Sequence, residues 1–133
     1  MRTRVLEGRT PYGAIPFAPL TEAQRRFVTS LRGGWPLIFC QVEVVETYKA
    51  RLGEKYSRTL IWIKPDGAPQ FTGDRHGMGY ESILCAWTGP GRSHWNAGGK
   101  RGVYTHDVRD GHPRRHPTQK PVPLLKDLVR DFT

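Results

Sequence analysis

The sequence predicts an α/β fold in which a mixed sheet, with an antiparallel pair of strands at one edge, is flanked by helices. An apolar run typical of a strand buried on both faces is followed at once by helical spacing, the βα order of parallel sheets. Two later apolar runs are separated by a long connection, which favours an antiparallel pair. The 133 residues, 37% of them hydrophobic, give room for a single domain over 1–133.

The N-terminal third predicts a strand, a loop and a helix. A short strand over 3–6 precedes a loop rich in Gly and Pro that lasts to Leu20. Thr21 and Gln24 form the capping-box pattern that begins a helix. Its apolar face is spaced at Ala23, Phe27, Val28 and Leu31, and Gly33 ends it.

The βα unit comes next, with a strand over 37–42 and a helix that Gly53 ends. The helical face of this unit consists of Val44, Val45, Tyr48 and Leu52. Strands follow over 59–64, closed by a Pro-Asp-Gly turn, and over 81–87. Residues 88–121 lack apolar periodicity and are predicted to be an irregular, exposed basic segment. A last helix begins near Pro123, with its apolar face at Leu124, Leu125, Leu128, Val129 and Phe132.

The charge of the chain favours a polyanionic partner. Lys and Arg number 21 against 12 Asp and Glu, which gives a net charge of +9 and a pI near 10.1. Such a balance attracts nucleic acid through counterion release, although a basic protein without such a partner is the alternative.

The longest apolar runs fall far short of the roughly 18–20 residues that span a bilayer. Cys40 and Cys85 lie in apolar runs and no signal peptide is evident, so a reducing cytoplasm is expected.

One six-residue string carries a family resemblance. HPTQKP, followed by an amphipathic helix ending in DF, resembles motif ten of the DNA amino-methyltransferases that modify adenine N6 or cytosine N4. The stretches WPLIFCQVE, RTLIWIKPD, PQFTGDRHGMGYESILCAW and WNAGGKRGVY look like the middle of phage-type members, in the same order. The order is similar to that of the permuted class, in which the catalytic motif comes first.

The resemblance implies a partial Rossmann-like methyltransferase sheet and S-adenosylmethionine (SAM) as the cofactor. In the permuted class a glycine-rich strand and loop that bind SAM follow motif ten. That piece would begin where this chain reaches Thr133, so the chain is expected to be the acceptor-side half, truncated or split. The exposed sheet edge would then invite a complementary chain or a second copy.

The catalytic loop of the family departs from its pattern here. Family members carry Asp or Asn, two prolines and Tyr, whose oxygens accept the hydrogens of the target amine while the ring stacks on the flipped base. The corresponding stretch is RTPYG. Pro11 and Tyr12 match, but Arg9, a donor only, stands in place of the acceptor and Thr10 in place of the first proline. The chain alone is therefore expected to be inactive.

Two further groups of residues are candidates for binding. By resemblance, motif ten lines the pocket for the amino-acid end of SAM with His116, Thr118, Gln119 and Lys120. Cations interleaved with aromatic residues suit contact with phosphates and bases. The DNA-binding candidates are Arg75, Arg92, Trp95, Lys100, Arg101, Arg109, Arg114 and Arg115.

No metal site is predicted, because the spacing of His94, His106, His112 and His116 matches no tetrahedral pattern. Three functions stay open at this point. The chain is a piece of a SAM-dependent DNA methyltransferase, a catalytically dead DNA-binding module of that family, or an interaction protein that inhibits a methyltransferase or another factor.

Overall fold

The computed structural model describes residues 18–110 and 113–133. The predicted strand over 3–6 and the RTPYG stretch lie outside these residues. Three α-helices, four strands and two 3-10 turns make up the described part. In chain order they are α1 (Glu22–Ser30), β1 (Leu37–Cys40), a 3-10 turn (Val42–Val44), α2 (Val45–Leu52), a 3-10 turn (Gly53–Lys55), β2 (Tyr56–Ile63), β3 (Tyr80–Ala86), β4 (Val103–Thr105) and α3 (Val122–Phe132).

Local signals in the sequence position the helices. At the start of α1 the Gln24 amide donates to Thr21 Oγ1 at 3.2 Å, and the Thr21 amide donates to Gln24 Oε1 at 2.8 Å, which confirms the capping box. Helix α2 ends at Gly53, whose φ of 54° lies in the left-handed region that favours glycine. Pro123 occupies the first turn of α3, where no intrahelical donor is needed.

The four strands form one mixed sheet in the order β1-β3-β2-β4. Strand β3 is antiparallel to both β1 and β2, so β1 and β2 run in the same direction with β3 between them. The antiparallel pairing predicted for the strands over 59–64 and 81–87 is confirmed, because these strands are β2 and β3. The predicted position of this pair at one edge is wrong. The two strands are the inner ones of the described sheet, because β4 adds to the outer edge of β2 in parallel.

Strand β4 is an element that the sequence did not indicate. It lies inside the segment 88–121, where it spans only three residues and buries one side chain, that of Tyr104. Strand β1 ends at Cys40 rather than at Val42, because the chain turns into a 3-10 helix there.

Helices cover both faces of the sheet and give two apolar clusters. On one face α3 packs through Leu124, Leu128 and Phe132 against Trp62 and Ile83. On the other face α2 packs through Tyr48 and Leu52 against Ile38, Leu84 and Ala86. This three-layer arrangement buries the sheet on both sides, as α/β folds require. Within the described ranges no helix has the length and apolarity needed to cross a bilayer.

Candidate functional site

The carboxyl ends of β1 and β2 lie on either side of the amino end of β3, at the edge of the sheet that these strand ends form. In α/β sheets, ligands bind in the crevice outside the carboxyl ends of the strands. Strand β1 brings Phe39 to this edge, Lys64 directly follows β2, and Glu81 is the second residue of β3. The candidate site is built around these three residues.

Glu81 binds two lysines that are distant from each other in the sequence. Lys64 Nζ lies 2.9 Å from Glu81 Oε2, and Lys120 Nζ lies 2.5 Å from Glu81 Oε1. The three side chains are only 14–26% exposed, so water screens these ion pairs poorly. We call this group the Lys64–Glu81–Lys120 cluster. Through it the last cation of HPTQKP is attached to the edge of the sheet.

Aromatic rings lie beneath both lysines of the cluster. Lys64 Nζ is 4.6 Å from the centre of the Trp62 ring, and Lys120 Nζ is 5.1 Å from that of Phe39. Such cation–π contacts stabilise an ammonium group and fix its position. The cluster holds two cations and one carboxylate, which leaves one positive charge without a counter-charge inside it.

The other residues of HPTQKP hold the turn that presents Lys120. The Arg115 amide donates to Gln119 Oε1 at 2.8 Å, and the Gln119 amide donates to the His116 carbonyl at 3.1 Å. Thr118 Oγ1 lies 3.0 Å from His116 Nδ1. Lys120 therefore reaches the sheet edge, whereas His116, Thr118 and Gln119 make hydrogen bonds within their own turn.

The amino terminus of α3 follows Lys120 directly. Its N-cap residue, Pro121, provides no side-chain hydrogen bond to the first turn, and that turn contains no acidic residue. Backbone N–H groups and the helix dipole thus give this end a partial positive charge. It lies beside the excess charge of the Lys64–Glu81–Lys120 cluster.

The connection between β2 and β3 adds an aromatic ring near the same edge. Phe71 is 76% exposed there. Arg75, in the same connection, lies 3.2 Å from Asp74 Oδ2 and is also exposed. An exposed ring is suited to stacking on a planar ligand.

Sequence reasoning missed three residues of this edge, namely Lys64, Phe71 and Glu81. A signal for Glu81 was present, because a carboxylate at the start of the apolar strand ESILCA requires a charged partner once it is buried. Nothing in the spacing identifies Lys64 and Lys120 as those partners.

The predicted DNA-binding residues divide between the two ends of the sheet. Arg109 lies at the carboxyl end of β2, because Asp66 in the turn after β2 accepts hydrogen bonds from the amides of Val108 and Arg109 at 2.6 and 3.2 Å. Arg114 and Arg115 precede HPTQKP and flank a small cleft with His116 and Pro117. Arg75 belongs to this end as well.

The remaining candidates lie toward the amino end of β2. Trp95 and Lys100 line a cavity there, with Arg92 and Arg101 beside them in the sequence. Lys100 is ion-paired with Asp131 of α3, and the Tyr104 hydroxyl donates to the same carboxylate at 2.8 Å. The Asn96 amide also donates to the Asp131 carbonyl at 3.0 Å. These bonds fasten the segment before β4 to α3.

Burial and hydrogen bonding move the pKa of Asp131 in opposite directions. Burial raises it and is the largest single effect, but the hydrogen bonds from Lys100 and Tyr104, together with the charges of Lys100 and Arg130, hold the pKa below its usual value. Burial, and then the adjacent Asp131, raises the pKa of Tyr104, which stays a neutral donor.

The predicted catalytic residues Pro11 and Tyr12 lie outside the described residues, as do Arg9 and Thr10, which replace the usual residues of that loop. Of the histidines considered for metal binding, His106 lies 2.8 Å from Asp127 of α3 and His94 packs against Trp87. Residues 18–110 and 113–133 contain no group of three His, Cys, Asp or Glu side chains placed to bind a metal ion.

Two solved structures have a fold similar to that of this chain. The chain is similar to the crystal structure of the M1.HpyAVI–SAM complex, with a TM-score of 0.63 and 18% identity over 82% of this chain and 59% of that one. The crystal structure of M1.HpyAVI matches with a TM-score of 0.57 and 18% identity over 77% of this chain and 51% of the other. No family model and no curated protein matches the sequence.

The described sheet and helices therefore have a methyltransferase-like α/β fold, as the sequence predicts. The chain spans between half and three-fifths of the length of the two structures that it matches.

Proposed function

We propose that this chain is the DNA-contacting and motif-ten part of a SAM-dependent DNA amino-methyltransferase, and that it binds DNA without transferring methyl groups by itself. The observation that carries the proposal is the position of Lys120. The last cation of HPTQKP lies 2.5 Å from Glu81 at the carboxyl ends of β1 and β2, in a fold similar to that of the SAM-bound M1.HpyAVI.

The residues at this edge fit the amino-acid end of SAM. Its carboxylate needs a positive charge, which the Lys64–Glu81–Lys120 cluster has in excess. The uncapped first turn of α3 adds N–H groups to the same region. SAM, when bound, supplies a methyl group on a positively charged sulfur. Lys64 and Lys120 would bind the carboxylate of SAM and so orient the cofactor, and Glu81 would position the two lysines.

DNA contact is assigned to the cations at the carboxyl end. The Arg109 amide is bonded to Asp66 in the turn after β2, and Arg114 and Arg115 directly precede the turn that presents Lys120. Arg75 and the exposed Phe71 belong to the connection that follows the carboxyl end of β2. Arginines contact phosphates without regard to sequence, and an exposed ring stacks on any base. The surface therefore combines general affinity for the backbone with a place for an unstacked base.

The chemistry of the acceptor loop supports the absence of methyl transfer by this chain alone. An exocyclic amine must have its hydrogens accepted as it attacks the methyl group. Arg9 offers donors only. Thr10 offers a hydroxyl, which accepts more weakly than a carboxylate.

The test is binding to a mixed-sequence duplex as a function of salt, followed by an assay for methyl transfer. We expect the affinity to fall steeply as salt rises, with no methyl incorporated. Reversing Arg114 and Arg115 to Glu should weaken binding to all sequences and reduce the salt slope by about two.

The matched control for that test reverses Arg25 and Arg32 at α1, which changes the net charge equally on the α1 face. The control variant should show the same salt slope as the wild-type chain and only a small loss of DNA affinity. Equal losses in both variants would remove the Arg114–Arg115 surface from the interface. Methyl transfer by the chain alone would overturn the claim of inactivity.

We further propose that this chain assembles with a partner chain that carries the glycine-rich SAM motif. A groove of about 540 Å³ runs between α3 and β1, and the exposed Leu125 and Val129 contribute apolar surface to it. The match covers 59% of the M1.HpyAVI chain in the SAM complex. Light scattering of the chain with such a partner should show a complex that Val129→Asp weakens, whereas Lys126→Asp should leave it intact.

A further inference from the structure

The amino end of the sheet contains a second cavity, on the side opposite the Lys64–Glu81–Lys120 cluster. It has a volume of about 310 Å³ and lies where β2 begins and β3 ends. Arg58 at the start of β2 and Lys100 before β4 line it, together with the rings of Trp35, Trp95 and Phe132. The function proposed above does not use this cavity.

Three rings give the cavity rigid aromatic walls. Trp95 and Trp35 each meet Phe132 edge to face, with ring centres 4.8 and 5.3 Å apart. Both indole N–H groups are already used, since Trp35 donates to the His94 carbonyl at 2.5 Å and Trp95 to the Gly98 carbonyl at 2.6 Å. The rings are thus fixed in orientation and offer a ligand their apolar surfaces.

Three polar side chains of the cavity have no ion-pair or hydrogen-bond partner in the described part of the chain. Arg58 forms no ion pair with any residue of the described part, and Ser57 and Ser93 form no side-chain hydrogen bond with those residues. Lys100 is shared with Asp131 and lies 4.3 Å from the Tyr104 ring. The cavity consequently has one uncompensated guanidinium, a second cation and two hydroxyls beside its aromatic walls.

We propose that this cavity binds one nucleotide, with the base against the indole rings and the phosphate on Arg58. Planar rings and phosphate oxygens are the two chemical features that these walls recognise together. The volume lies at the lower end of the roughly 300–1,000 Å³ typical of small-ligand sites, which suits a mononucleotide. The ligand is a free nucleotide or one nucleotide of a single strand.

The experiment titrates the chain with dAMP and dCMP and follows indole fluorescence excited at the red edge of its absorption band. We expect saturable quenching, because Trp35 and Trp95 line the cavity. Arg58→Ala should weaken binding about tenfold through loss of a charged phosphate contact. Arg58 is exposed on β2, so the variant should fold. Lys126→Ala, an exposed cation of α3 outside the cavity, is the control and should bind as the unchanged chain does.

Two fragments test whether both halves of the nucleotide are recognised. Deoxyadenosine and inorganic phosphate should each bind at least about tenfold more weakly than dAMP. Phosphate that binds as tightly as dAMP, no saturable quenching by either nucleotide, or an unchanged affinity in Arg58→Ala would overturn the proposal.

A short single-stranded oligonucleotide separates the two sources of the ligand. Weaker oligonucleotide binding by Arg58→Ala identifies a nucleotide within a strand, whereas loss of dAMP binding alone identifies the free nucleotide. Neither result depends on methyl transfer or on SAM, so failure of the proposed function would leave the outcome readable.

Discussion

At the scale of the residue, Asp131 links α3 to the segment before β4 and makes stability depend on pH. The pKa of Asp131 is lower in the folded chain than the value near 4 of the unfolded chain. The Asp131 carboxylate therefore stabilises the fold fully above that unfolded-state value, and this stabilisation is lost as pH falls through the folded-state pKa. At pH 7, Asp131→Asn should lower the free energy of unfolding by about 2 kcal/mol, measured in urea, because Lys100 loses its counter-charge. The difference from the unchanged chain should shrink below pH ~4. If the difference were constant with pH, or if Asp110→Asn at an exposed position lowered the free energy of unfolding as much, the Asp131 carboxylate would not be the source of the pH dependence.

At the scale of the element, Glu81 joins strand β3 to the loop before α3 and to the end of β2. Glu81→Gln leaves Lys64 and Lys120 close together without their carboxylate, so the free energy of unfolding should fall by about 1–3 kcal/mol. Glu46→Gln, on the exposed side of α2, should change it by less than about 0.5 kcal/mol. Chemical denaturation of both variants measures the difference. Equal stability of the two would mean that the cluster does not attach the loop to the sheet.

Elements with local signals were predictable at this scale. The capping box of α1, the glycine after α2 and the proline in α3 act within a few residues, and the structure follows them. Strand β4 gave no such signal, because its three residues owe their conformation to pairing with β2, about forty positions earlier.

At the scale of the whole molecule, the sheet separates two surfaces that the sequence presented as one basic segment. Residues 88–121 pass from the amino end of β2 to its carboxyl end, because β4 runs parallel to β2. Trp95 and Lys100 therefore lie at the end opposite Lys120. Composition predicted the kinds of side chain but not this division, which depends on long-range register. Lys64, Glu81 and Lys120 likewise meet only after the strands have paired.

Titration of the chain with SAM, followed through its backbone amide chemical shifts, measures whether SAM binds at the carboxyl ends of β1 and β2. We expect saturable shifts around Phe39, Lys64, Glu81 and Lys120, and an affinity about tenfold lower for Lys120→Gln than for the control Lys126→Gln. Absence of saturable shifts in the presence of duplex, or shifts confined to the cavity around Trp35 and Arg58, would contradict binding of SAM at these strand ends.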